Sequence, residues 1–118
     1  MRLKKGLTPF VDPLPVPEVL KPLARKPNYT FYVVCMMETF QKLHRDLPPT
    51  RIWGYEGKYP GPTIEVRRNE PVRVLWLNLL PKRHILPVDK TIHGAVGNPE
   101  VRTVVHAHGL VSPPDSDG

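Results

Sequence analysis

One cysteine in 118 residues is the scarcest chemistry in this sequence. A lone Cys35 excludes an internal disulfide and any cysteine-based zinc cage built by this chain. It lies in the apolar run VVCMM with no histidine beside it, which reads as a small buried hydrophobe and not as a nucleophile or thiolate ligand. Apolar runs long enough to cross a bilayer are also missing. The start, MRLKKGLTPFVDPLPVP, is charged but has no apolar core behind the charge, so no secretory signal is read there. There is no glycine-rich phosphate cradle, no G-x-S-x-G, no H-E-x-x-H and no internal repeat. Acidic residues number 11 against 17 basic ones, a net charge of +6. That excess is scattered over Lys4, Lys5, Arg25, Lys26, Arg67, Arg68, Lys82 and Arg83, with no stripe and no basic–aromatic alternation. It reads as solvated surface, and no nucleic-acid partner is expected.

What the sequence has in excess is proline, 16 residues. Each fixes its own φ and withdraws a backbone donor, so regular structure is confined to the proline-poor stretches near 28–47, 63–70, 72–80 and 100–112. With 40% hydrophobic and 24% charged residues the composition is that of a folded domain, and the length allows one. Six prolines make residues 1–28 an extended, polyproline-like arm, leaving 29–118 as the domain.

The domain reads as all-β. In NYTFYVVCMMETFQKLH, Tyr29, Phe31 and Val33 alternate with Thr30, Tyr32 and Val34, as in a strand packed on one or both faces. Residues 36–44 have some helical propensity, but RDLPPT ends the stretch abruptly, so strand is expected. Gly54, Gly57 and Gly61 with Pro60 and Pro62 predict a tight turn. Ile64 and Val66 alternate with Glu65 and Arg67 as a half-buried strand, and residues 68–71 form a turn. Val72, Val74 and Trp76 then point one way and Arg73, Leu75 and Leu77 the other. Two strands joined by a polar turn predict an antiparallel sandwich. Residues 81–100 read as a long loop, and a last strand, EVRTVVHAHG, carries two histidines.

Chemistry, if present, belongs to those histidines. His106 and His108 are two apart, so on a strand they share a face, about 6.5–7 Å between Cβ atoms. That spacing suits two neighbouring metals better than one. Small Ala107 lets the opposite face pack closely, and Gly109 allows a turn or a close backbone approach. Imidazole serves copper, zinc, iron or nickel, so the pair does not name its metal. Solvent-facing or backbone-bonded histidines are the ordinary alternative. His44, His84 and His93 sit in turn-like or polar sequence and are assigned to no metal.

GYEGKYPGPTIEVRRNEPVRVLWLNLLP, followed by H-x-H-G, resembles the first-domain signature of the multicopper oxidases. FVDPLP-P, LHRDLPPTR-WGY, LP-DKTIH, PEV-TVVH-HG and PDSDG bring it nearest to the bacterial spore-coat laccases and their bilirubin oxidase-like relatives. The resemblance runs from about Phe10 to Gly118. It implies a cupredoxin fold, a plastocyanin-like Greek-key β-sandwich, here an incomplete first domain. It implies copper as cofactor: His106 matches the type 2 copper ligand, His108 a type 3 ligand, and Asp117 an acid that relays protons to oxygen. It implies dioxygen and a phenolic or bilirubin-like substrate, further cupredoxin domains and other spore-coat proteins as partners, and a spore-surface location. On residues alone, Asp117 reads first as a turn residue before Gly118.

The family's trinuclear cluster takes eight histidines from four H-x-H elements, whereas this chain has five histidines and one such element. The expectation is therefore an N-terminal part of a laccase-like oxidase, inactive by itself, with an open sheet edge prone to aggregation. A non-catalytic coat protein built on a truncated cupredoxin is the alternative. A small blue-copper carrier is disfavoured because no ligand pattern surrounds Cys35.

Overall fold

A computed structural model describes residues 6–97 and 99–118. The chain divides into two compact units, one ending at Leu80 and one spanning Pro81–Gly118.

The first unit is a four-stranded sheet: β1 (Ala24–Lys26), β2 (Tyr29–Gln41), β3 (Thr50–Tyr55) and β4 (Val72–Asn78). The 13-residue β2 pairs with all the others. β1 runs antiparallel to its first three residues, and β3 antiparallel to residues 36–41. β4 runs parallel to residues 30–36. Backbone groups alternate edges along a strand. The carbonyls of Phe31 and Cys35 accept from Leu23 and Glu56, at 2.8 and 2.7 Å. The Thr30 amide donates to Pro71, and the Met36 carbonyl accepts from Leu79. β1 and β3 therefore lie end to end along one edge of β2, and β4 lies along the other.

The all-β expectation holds, and β2 is a strand through residues 36–41 despite their helical propensity. The sheet is mixed and not purely antiparallel, because β4 joins β2 in parallel instead of forming a hairpin with residues 63–67. Those residues are not a strand. Thr63 makes one parallel bridge to Val19. Two residues on, the Tyr32 hydroxyl donates to the Glu65 carbonyl at 3.2 Å, and Val66 is exposed. A side chain thus takes a carbonyl that a ladder would need.

Alternation along β2 sorts its two faces. Tyr32, Val34 and Met36 are buried, and their β4 neighbours Val72, Val74 and Trp76 are half-buried. Tyr55 and Trp76 meet on this face, ring centroids 5.3 Å apart. On the other face Leu75 and Leu77 are exposed beside half-buried Val33 and Cys35.

Gly54, expected in a turn, sits inside β3. A Cβ there would run into the backbone of Lys58, so only glycine lets the next turn fold back. That turn has Glu56 and Gly57 at φ 53° and 65°, with the Lys58 amide donating to the Tyr55 carbonyl at 3.1 Å. Two consecutive positive φ values are the type I′ geometry that suits the right-handed twist of strands.

The proline-rich stretch has no regular structure through most of its described length and carries β1 near its end. Side chains after β2 clasp it. Arg45 donates to Asp12 from its guanidinium at 2.8 Å and its amide at 2.9 Å, and bonds the Val11 carbonyl. His44 Nε2 donates to the Thr8 carbonyl at 3.0 Å, while its Nδ1 accepts the Asp46 amide. The Arg45 guanidinium bond, then the Arg45 amide, hold the Asp12 carboxyl below the usual carboxylate range.

Two outcomes follow. In urea unfolding, Val34→Ala lowers stability by about 2 kcal/mol, and Leu75→Ala on the open face by no more than about 0.5 kcal/mol. A depressed carboxyl adds stability above its unfolded pKa and loses it as pH falls through the folded one. The clasp therefore holds from neutral pH down to about pH 4, below which limited proteolysis cuts the arm faster. Asp12→Asn is cut quickly already at neutral pH.

Candidate metal centre

The second unit holds the paired histidines. Among its described residues there is no strand; residues 81–97 are loop, as expected, and a single 3₁₀ turn spans Pro114–Ser116. The expected last strand over 100–109 is not formed. Extended propensity makes a strand only where a ladder partner exists, and here other groups are engaged. Arg102 donates to the carbonyls of Gly94 and Pro99, and the His106 ring is drawn to Asp117.

His106 and His108 nevertheless stand side by side. Their ring centroids are 5.7 Å apart at an interplanar angle of 73°, and both residues are exposed. Neither ring is buried in hydrocarbon, and the two do not diverge. Ala107 is exposed as well, so close packing behind it is not observed. Gly109 takes φ 84° in the turn that follows, with nothing within 4 Å of where a Cβ would be; the turn is used and the close approach is not.

Asp117 is both a turn residue and a neighbour of His106. It ends the 3₁₀ turn at φ −92°, ψ −2°, with its amide donating to the Pro114 carbonyl at 3.3 Å. Its main-chain carbonyl lies 2.6 Å from His106 Nδ1, and its carboxylate Oδ1 lies 3.4 Å from the same nitrogen. Ser112 donates its hydroxyl to that Oδ1 at 3.0 Å. The sequence reading placed Asp117 but passed over Ser112; its spacing from Asp117 across two prolines is the signal that could have found it.

Two of the other histidines serve locally. His44 belongs to the arm clasp, and His84 Nδ1 accepts the Leu86 amide at 3.3 Å while its own amide donates to Glu100. Among the described residues no group of three or more His, Cys, Asp or Glu side chains converges as a metal cage. The groups near His106 are two imidazoles with a carboxylate close by, donor types that suit an ion of the first transition row.

Cys35 is half-buried, less enclosed than the sequence suggests. Its amide donates to Glu56 Oε1 at 2.6 Å, while its carbonyl accepts the Glu56 amide. Desolvation first, and then the Glu56 carboxylate, push its thiol up. A thiol held protonated is a poor nucleophile and a poor ligand.

Against known proteins, the family model described as multicopper oxidase matches residues 38–100. A laccase of Bacillus stratosphericus is 57% identical over 114 residues, covering 96% of this chain and 22% of the relative. A laccase of Bacillus subtilis (strain 168) is 57% identical over 115 residues, covering 95% and 22%. A laccase of Haloferax volcanii is 43% identical over 122 residues, covering 95% and 21%. The chain thus spans about a fifth of the length of these relatives.

The electrostatics of Cys35 give one measurable consequence. Glu56→Gln keeps the hydrogen bond but removes the negative charge, so alkylation of Cys35 at mildly alkaline pH speeds up, by no more than about tenfold. The midpoint of the pH–rate profile falls yet stays above that of a free thiol, because desolvation remains.

Proposed function

The chain belongs to the multicopper oxidase family, and on that premise we propose that it supplies one His-x-His pair to the copper cluster of a laccase-like oxidase. In this reading His106 ligates the type 2 copper and His108 one of the type 3 pair. Copper, when bound, supplies the electron storage that couples one-electron oxidation of a phenolic or similar substrate to four-electron reduction of dioxygen. The remaining ligands, the blue-copper site and the substrate pocket come from polypeptide beyond these 118 residues, in keeping with the share of the relatives that the chain spans. Alone, the chain takes up no oxygen. Association with a spore coat is part of the proposal and rests on the resemblance to spore-coat laccases.

The observation that supports this reading is the side-by-side placement of the two exposed imidazoles at 5.7 Å. Rings so close, on a segment that forms no ladder of its own, leave room for partner ligands to approach from outside. Asp117 fits a proton-handling role. Its carboxylate is half-exposed, so water reaches it, and it stands against His106. Ser112 holds Oδ1, which leaves Oδ2 as the oxygen that takes up and hands on a proton.

The test is a chimera in which this chain replaces the matched region of the Bacillus subtilis laccase. The chimera is expected to load copper and consume oxygen with a phenolic dye, and the 118-residue chain alone to consume none. His106→Ala in the chimera removes the type 2 copper signal in electron paramagnetic resonance and abolishes oxygen reduction, while the blue absorption survives. Full copper content and undiminished oxygen uptake in that variant would sink the assignment. Asp117→Asn slows turnover, and the deficit widens as pH rises and protons become scarce. Equal rates across pH would remove Asp117 from the reaction.

A further inference from the structure

The turn over residues 113–117 brings the main-chain carbonyl of Asp117 nearer to His106 than its carboxylate. We propose that the main-chain carbonyl of Asp117 holds His106 as its Nδ1–H tautomer, so that Nε2 is the atom His106 presents to a metal. Its purpose rests on the copper reading above; its geometry does not.

A peptide carbonyl carries no proton, so at 2.6 Å the ring nitrogen must be the donor. A neutral imidazole has one N–H and one lone pair, and fixing the hydrogen at Nδ1 places the lone pair on Nε2. The second oxygen near Nδ1, Asp117 Oδ1 at 3.4 Å, is an acceptor too when ionised. The opposite tautomer would point a lone pair at two oxygens and give up the bond. His44 and His84 are wired the reverse way, His44 Nδ1 accepting the Asp46 amide and His84 Nδ1 accepting the Leu86 amide. Those two are Nε2–H, the form free histidine prefers. His106 is held in the less favoured form by one residue's backbone.

The local sequence explains how that carbonyl arrives. Pro113 is extended at φ −67°, ψ 152°, and Pro114 opens the 3₁₀ turn; the Ser116 amide closes it on the Pro113 carbonyl at 2.9 Å. Gly118 then takes φ 106° and backs onto the histidine-bearing segment. A Cβ on it would sit 2.8 Å from the Val105 carbonyl oxygen and from Val104 Cγ1, and 3.4 Å from His106 Cα. Only glycine allows this approach. The Asp-Gly pair therefore has divided roles: the Asp117 side chain faces water and Ser112, its carbonyl orients His106, and Gly118 makes room.

The experiment uses the 118-residue protein with ¹⁵N-labelled histidine, metal-free, at about pH 8, where imidazoles are neutral. Long-range proton–nitrogen correlation spectra read the tautomer of each ring. His106 is expected in the Nδ1–H form by roughly tenfold, the worth of one net hydrogen bond. His44 and His84 should show the Nε2–H form and serve as internal controls. Asp117→Asn keeps the carbonyl and so leaves the His106 pattern unchanged. Gly118→Ala pushes the carbonyl away and returns His106 to the Nε2–H majority. A wild-type His106 in the Nε2–H form, or a tautomer that follows the Asp117 side chain and ignores Gly118, overturns the proposal. Adding zinc, a diamagnetic probe, then separates the two readings. Perturbation of His106 Nε2 supports both. Perturbation at Nδ1 overturns the tautomer assignment, whereas a maintained Nδ1–H form that no added zinc or copper perturbs counts only against the metal reading.

Discussion

The hydrogen-bonding of β2 along both of its edges is the constraint on which the sheet depends. A strand paired on one edge leaves half its backbone polar groups to water, and β2 is too apolar and too enclosed for that. Its odd-numbered residues turn their backbone groups to β1 and β3, its even-numbered ones to β4. Because β1 and β3 share one edge end to end, β2 must be long, and its 13 residues are what let two short strands dock on one side. The same alternation puts Tyr32, Val34 and Met36 on the buried face. Pairing and burial are thus two readings of one two-residue period. The turn at residues 55–58 depends on it too, since the Glu56 amide and carboxylate both bond to the backbone of Cys35.

The unit from Pro81 to Gly118 is built differently. Where the sheet satisfies backbone groups with backbone groups, this unit uses side chains and tight turns. Arg102 caps the carbonyls of Gly94 and Pro99, Thr91 is tied to Asp89, and the Glu100 carboxylate receives the His84 amide. Such local bonds need no long-range partner, and they let a segment rich in proline and glycine keep a defined path. The two imidazoles owe their arrangement to this economy. One ring is oriented by a carbonyl eleven residues on, and the other lies against the first at a steep angle.

The strands that were legible in advance are those whose pattern and partner agree. Residues 29–41 alternate cleanly and sit between β4 and the β1–β3 edge, and Val72, Val74 and Trp76 separate from Arg73, Leu75 and Leu77 as their spacing predicts. The misreadings have a common cause. Residues 63–67 and 100–109 have the composition of strands, but pairing is a property of two segments, and neither finds more than an isolated bridge among the described residues. Gly54 misled in the opposite sense. It looked like turn chemistry, yet its missing side chain is needed inside β3 because the Lys58 backbone passes over it. At the candidate metal centre, His106, His108 and Asp117 were singled out by the sequence, and His106 stands beside the other two. Ser112 and Gly118 were not, since their parts depend on the turn between them folding back.

The sequence by itself determined the all-β character and the family, because these follow from residue type, spacing and a long ordered match. Only the tertiary structure decided that β4 runs parallel to β2, that the histidine-bearing segment forms no ladder, and that His106 faces the carbonyl of Asp117. Each of those is a question of which distant backbone group satisfies which. Composition and periodicity say that a polar group must be paired, and the folded chain alone says with what.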